Sequence, residues 1–93
     1  MTPLTLYRYR LARTATGTLY VYGYDRATAD VRIVELAQFN GDAMTGATKD
    51  GRCVVLEGRP ARDMHADWLW FDYCRDNSVG ASTDATPWQR TFD

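Results

Sequence analysis

The sequence predicts a mainly β or α+β fold. It reads as one small antiparallel sheet of about five to six short strands, with at most one short helix near 60–75 and a polar C-terminal tail. Three observations predict it. Aromatic and β-branched residues alternate with polar ones over most of the first 24 positions, the period of a half-buried strand. Turn residues punctuate the chain at short intervals, at Gly17, Asn40-Gly41, Asp50-Gly51 and Gly58-Arg59-Pro60. With 93 residues the chain has material for one modest core and no second domain.

Leu4 to Arg13 reads as the first strand. Strict alternation places Thr5, Tyr7, Tyr9 and Leu11 on one face and Arg8 and Arg10 on the other. Thr14-Ala15-Thr16-Gly17 is turn material. Thr18 to Tyr24 follows, with Tyr20, Tyr22 and Tyr24 on one face and Leu19 and Val21 on the other. The two segments make a hairpin. Val31 to Phe39 mixes strand formers (Val31, Ile33, Val34) with helix formers (Glu35 to Gln38); a third strand is the simpler continuation. Asp50-Gly51 is the better hairpin cue, joining a short strand within 43–48 to Cys53–Glu57. Pro60 ends that run, since proline cannot donate to a ladder.

The segment from Ala61 to Arg75 decides the fold class. As a helix it sets Met64, Trp68 and Phe71 on one side but scatters Leu69, Trp70, Tyr73 and Cys74 round the circumference. As a strand, 68–75 is covered on both faces. The expectation is a helical turn near 61–65 followed by a strand. Residues 1–76 then form the domain. Residues 77–93 form the polar tail, with Trp88 and Phe92 as the groups able to dock.

The net charge is −1, which argues mildly against a general nucleic-acid binder. Charge is uneven: +3 up to Ile33 and −4 from Val34 onward. No apolar run approaches the roughly 20 residues that span a bilayer. The N-terminus lacks the basic start and apolar stretch of a secretory signal, so a cytoplasmic location and no membrane partner are expected. Cys53 and Cys74 then read as reduced, packed thiols. Two cysteines and one histidine do not complete a standard Cys/His zinc site. No Gly-rich phosphate loop follows a strand, so no cofactor is expected.

Three groups of residues are candidates for function. Tyr7, Tyr9, Tyr20, Tyr22 and Tyr24, interleaved with Arg8 and Arg10, form the densest aromatic–basic patch, of the kind that stacks bases and holds phosphates. Its structural reading is a tyrosine row packed on the core, with arginines on a solvated face. Asp63, Asp67, Asp72 and Asp76 flank Trp68 and Trp70, an acidic series able to meet a basic partner surface or simply to keep an aromatic segment soluble. Trp88 is a further aromatic anchor. His65, between Asp63 and Asp67, marks a weaker hydrolase or nuclease centre, provided the segment is extended so that i and i+2 share a face.

Tryptophan, tyrosine and arginine are the residue types that anchor interfaces. No catalytic constellation competes with them. The expectation is therefore a non-enzymatic protein-interaction module with a protein partner, such as a nucleic-acid-binding host complex. Single-stranded nucleic-acid binding is the alternative. In size and composition the chain is similar to compact inhibitors of bacteriophages and mobile elements, anti-CRISPR proteins among them; no motif carries that likeness.

Overall fold

A computed structural model describes residues 2–89. Seven strands and one helix follow in the order β1 (Leu4–Thr14), β2 (Leu19–Asp25), β3 (Val31–Leu36), β4 (Gln38–Asn40), β5 (Thr45–Ala47), β6 (Cys53–Glu57), α1 (Met64–Asp76) and β7 (Ser82–Asp84). The mainly β, α+β fold expected from the sequence is what forms, in a single sheet ordered β3-β2-β1-β6-β5-β4, with β7 also on β1.

The two ends of that order are neighbours in the chain. Only Ala37 separates β3 from β4, and its amide donates to the Ala47 carbonyl at 2.8 Å. One bent strand therefore serves both edges, and the sheet curls round on itself into a small roll. Its inside is packed by Leu4, Leu6, Tyr9, Leu11, Leu19, Val21, Leu36, Met44, Val54 and Leu56. Its outside carries a second cluster, Ala12 and Tyr22 under Ala66 and Trp70 of α1.

β1 is the spine. It pairs with β2 along one edge; along the other it takes β6 in parallel over Leu4–Tyr7, then β7 antiparallel over Ala12–Thr14. The β1–β2 register shifts by one residue between Tyr7 and Arg10, and Arg8 has φ 50°. This bulge inverts the pleat. Leu4 and Leu6 point inward before it, and Tyr9 and Leu11 point inward after it. Strict alternation had placed Tyr9 beside Tyr7. Instead Tyr9 is core, its hydroxyl donating to the Gly58 carbonyl at 2.9 Å. Gly23 makes the bulge possible: a Cβ there would lie 2.9 Å from the Tyr9 Cα.

The segment expected to be a strand over 68–75 is helical throughout Met64–Asp76. Its end signals explain why. Asp63 caps the first turn, accepting from the Ala66 amide at 3.0 Å. Asp67 lies in the first turn and Arg75 in the last, each favourable to the helix dipole. Asn77 closes the C-terminus through Nδ2 to the Tyr73 carbonyl at 3.0 Å.

Residues 77–89, expected to be tail, belong to the domain. β7 extends the sheet, and Thr86 is buried. Its Oγ1 accepts from the Leu11 amide at 2.9 Å and donates to the Leu11 carbonyl at 3.2 Å. The Ala85 amide donates to the same carbonyl at 2.9 Å, so backbone and side chain together extend the pairing of β7 to Leu11. Trp88 docks with its ring against the Arg10 and Arg62 guanidiniums, 5.6 and 4.4 Å from the centroid. Phe92 lies outside the described residues.

Candidate interaction surface

α1 has two apolar faces, and only one of them meets the sheet. The inner face carries Ala66, Trp70, Tyr73 and Cys74. Trp70 stacks on Tyr22, with ring centroids 5.3 Å apart and planes 7° from parallel, and on Tyr73 at 5.9 Å and 14°. Tyr20 packs tilted against Trp70 at 5.3 Å. Such ring pairs contribute about 0.5–1.5 kcal/mol each beyond area burial.

Polar contacts fix the helix on its bed. Asp67 receives Arg10 Nη1 on both oxygens, at 3.0 and 3.1 Å, and the Tyr22 hydroxyl at 2.8 Å. Asp63 receives the Tyr24 hydroxyl at 3.0 Å and Arg8 at 3.4 Å. Arg10 reaches Asp84 at 3.3 Å, and Trp88 Nε1 donates to the same carboxylate at 2.6 Å. Burial, then the hydrogen bond to Asp67, pushes the Tyr22 hydroxyl well above the usual phenol range. The Ala66 amide, with Tyr24 and Arg8, holds Asp63 below the usual carboxylate range. For Asp84 burial works upward, yet hydrogen bonds from Thr86 and Trp88 and the Arg10 charge hold it at about 2. The helix is therefore clamped by ion pairs on one side and stacked rings in the middle.

The outer face is apolar and open. Met64, Trp68 and Phe71 are 77%, 63% and 65% exposed. At spacings of four and three residues they form one stripe over two helical turns. Large apolar groups scattered singly on a surface are ordinary; three in a contiguous stripe are the feature that makes this face a candidate. Below Phe71, a cleft of about 160 Å³ opens between α1 and β7, with Asp67, Trp70, Thr83 and Asp84 in its walls.

The tyrosine–arginine patch is thus divided. Tyr20, Tyr22 and Tyr24 lie under α1, and Tyr9 points into the roll. Tyr7 packs beside Tyr24 at 5.6 Å, with Arg26 over its ring at 5.7 Å. Arg8 and Arg10, assigned to the face opposite the tyrosines, are ion-paired to Asp63 and Asp67; the bulge puts Arg10 on the tyrosine side. The acidic series is divided too. From Asp67 to Asp72 the helix turns about 140° beyond a full circle. Asp63 and Asp67 therefore face inward, while Asp72 and Asp76 pair with Arg75 at the outer C-terminal end. Trp70 is buried and Trp68 exposed. Met64 and Phe71 were missed as site residues. The signal that finds them is their spacing from Trp68, once the segment is taken as a helix.

His65 is exposed on α1, turned away from the inward Asp63 and Asp67, so the three do not share a face. Among the described residues, no three His, Cys, Asp or Glu side chains converge on a point that could hold a metal. Cys53 and Cys74 are free; Cys53, expected to be packed, is exposed on an outward position of β6, and Cys74 is half-buried on the inner face of α1. No described helix is long and apolar enough to cross a membrane. No family model matches the chain, and no curated protein or solved structure matches it either.

Proposed function

We propose that the protein is a non-enzymatic protein-interaction module that docks through the outer face of α1. One observation carries the reading: Met64, Trp68 and Phe71 stand more than 60% exposed on a helix whose opposite face is locked to the sheet. Aromatic side chains on a rigid support lose little entropy on binding and dominate interface energetics. The single-stranded nucleic-acid reading has less support, because Tyr20 and Tyr22 are covered and Arg8 and Arg10 are paired.

The test is capture by the immobilised protein from nuclease-treated lysate of the source cells, with partners identified by mass; an untagged copy of this chain counts as one. Trp68→Ala with Phe71→Ala is expected to lose the captured protein while the melting temperature stays within a few degrees, since neither residue belongs to a core cluster. Undiminished capture by the double variant would sink the reading.

A further inference from the structure

We infer that the occupant of this face is a basic amphipathic segment of a partner protein, its apolar side laid on Met64, Trp68 and Phe71 and its lysines or arginines on Asp72 and Asp76; the inference rests on the interaction reading above.

The stripe is bordered by charge on both sides, and the two borders differ. On the β7 side the charges balance: Asp67 and Asp84 are both held by Arg10, and Arg62 lies over Trp88. On the other side Asp72 and Asp76 share a single cation, Arg75, at 3.1 and 3.5 Å. Asp72 follows Trp68 by four residues, one turn on and about 40° further round the helix, and Asp76 follows Asp72 in the same way. The two carboxylates therefore step off the stripe directly from Trp68, away from Asp67.

Their position is poor for the helix itself. Asp76 is the last residue of α1, where the dipole disfavours negative charge. Asp72 and Asp76 are also a like-charged pair four residues apart, which costs helix stability. Among the described residues both pair only with Arg75, and neither touches the sheet. The fold gains nothing from two acids at this end, whereas a cation arriving from outside does. A guanidinium or ammonium set beside Trp68 meets an aromatic ring and the Asp72 carboxylate one helical turn apart. The same carboxylates repel a phosphate backbone, so the chemistry selects a basic protein segment over nucleic acid.

The size of the stripe sets the size of the occupant. Three side chains of this kind, more than 60% exposed, offer roughly 400 Å². That is half of the roughly 800 Å² each partner gives to a standard interface. It suits one amphipathic segment laying its apolar side on the helix, not a whole globular face. The stacked Trp70–Tyr22 bed holds the stripe in place beforehand, so binding has only the segment to order.

The test uses the intact chain and two labelled peptides of about 14 residues, four helical turns each. One is an amphipathic repeat of leucine and lysine, and the other has glutamate in place of every lysine. Fluorescence anisotropy measures binding. At low salt the lysine peptide is expected to bind at least about tenfold more tightly than the glutamate peptide, and the gap should narrow at about 0.5 M salt. Asp72→Asn with Asp76→Asn should weaken the lysine peptide about tenfold while the melting temperature holds or rises, because both acids oppose the helix dipole. Asp30→Asn with Glu57→Gln removes the same charge from exposed positions elsewhere and should change binding less than about twofold. Trp68→Ala with Phe71→Ala should lose the lysine peptide as well. Equal binding of the two peptides, binding of neither, or equal loss from the two pairs of charge variants overturns the inference. So does lysine-peptide binding that survives loss of Trp68 and Phe71, or a thymidine oligonucleotide bound more tightly than the lysine peptide. If the inference falls in any of these ways while Trp68-dependent capture of a protein from lysate persists, the basic occupant fails and the interaction reading stands. If capture fails too, both fail.

Discussion

Arg10 gathers parts of the chain that are far apart in sequence. Its guanidinium touches Asp67 on α1 and Asp84 on β7 and faces the Trp88 ring, while Nε is buried without a hydrogen-bond partner. Burial disfavours its charge, but Tyr22, Asp67 and Asp84 outweigh that and raise its pKa. Asp84 is held well below the usual carboxylate range, at about 2 against an unfolded value of about 3.9. A carboxylate with a depressed folded pKa contributes stability that is complete above its unfolded pKa and is lost as pH falls through the folded one. Asp84→Asn is therefore expected to cost about 1 kcal/mol at pH 7, the value of a partly exposed charge-assisted contact. That difference should close between about pH 4 and pH 2 in urea unfolding measured against the parent. A gap that persists at pH 2 would assign the cost to packing. None of this network is legible in the sequence. Strict alternation sends Arg10 away from the tyrosines, and only the extra residue of the bulge returns it.

At the scale of elements, hairpin turns are the legible part. Gly17 at φ 90° closes β1–β2, and Gly51 at φ 88° closes β5–β6, both at positions read from turn chemistry. The bulge is not legible, because the residue that takes the positive φ is Arg8 and carries no glycine signature. Its trace lies on the opposite strand, in Gly23. Gly23→Ala would force the new methyl against the Tyr9 backbone and is expected to cost about 1–3 kcal/mol by overpacking. Thermal unfolding would measure it, and an unchanged midpoint would mean that β1 and β2 separate without cost. α1 was misread for a related reason. Helical periodicity is visible when one face is polar, but here Trp70 and Tyr73 serve the sheet while Met64, Trp68 and Phe71 serve solvent. The apolar circumference that hides the helix is the same property that marks the candidate surface.

At the scale of the whole molecule, the order of strands was beyond reach, since parallel pairing of β1 with β6 and return of β7 join segments about 50 and 70 residues apart. The last segment looked like tail because it is polar. Yet it works through hydrogen bonds, those of Thr86 to Leu11 and of Trp88 to Asp84. A chain ending at Gly80 would leave the Leu11 backbone unpaired and strip Arg10 of Asp84 and Trp88. The midpoint of thermal unfolding should fall by at least about 10 °C, given roughly 4–8 °C per kcal/mol in a domain of this size. A drop of only a degree or two would return the segment to the status of a tail.

The position of β1 has a consequence for how the chain is made. Once synthesised, β1 must wait for its partners, because one of its edges belongs to segments made about 50 and 70 residues later. Until then the nascent chain presents β1 as an open, tyrosine-rich edge, a template for any extended segment nearby. At about 5–20 residues per second that exposure lasts several seconds. The window closes only when Ser82–Asp84 emerges and seals the edge from the other end.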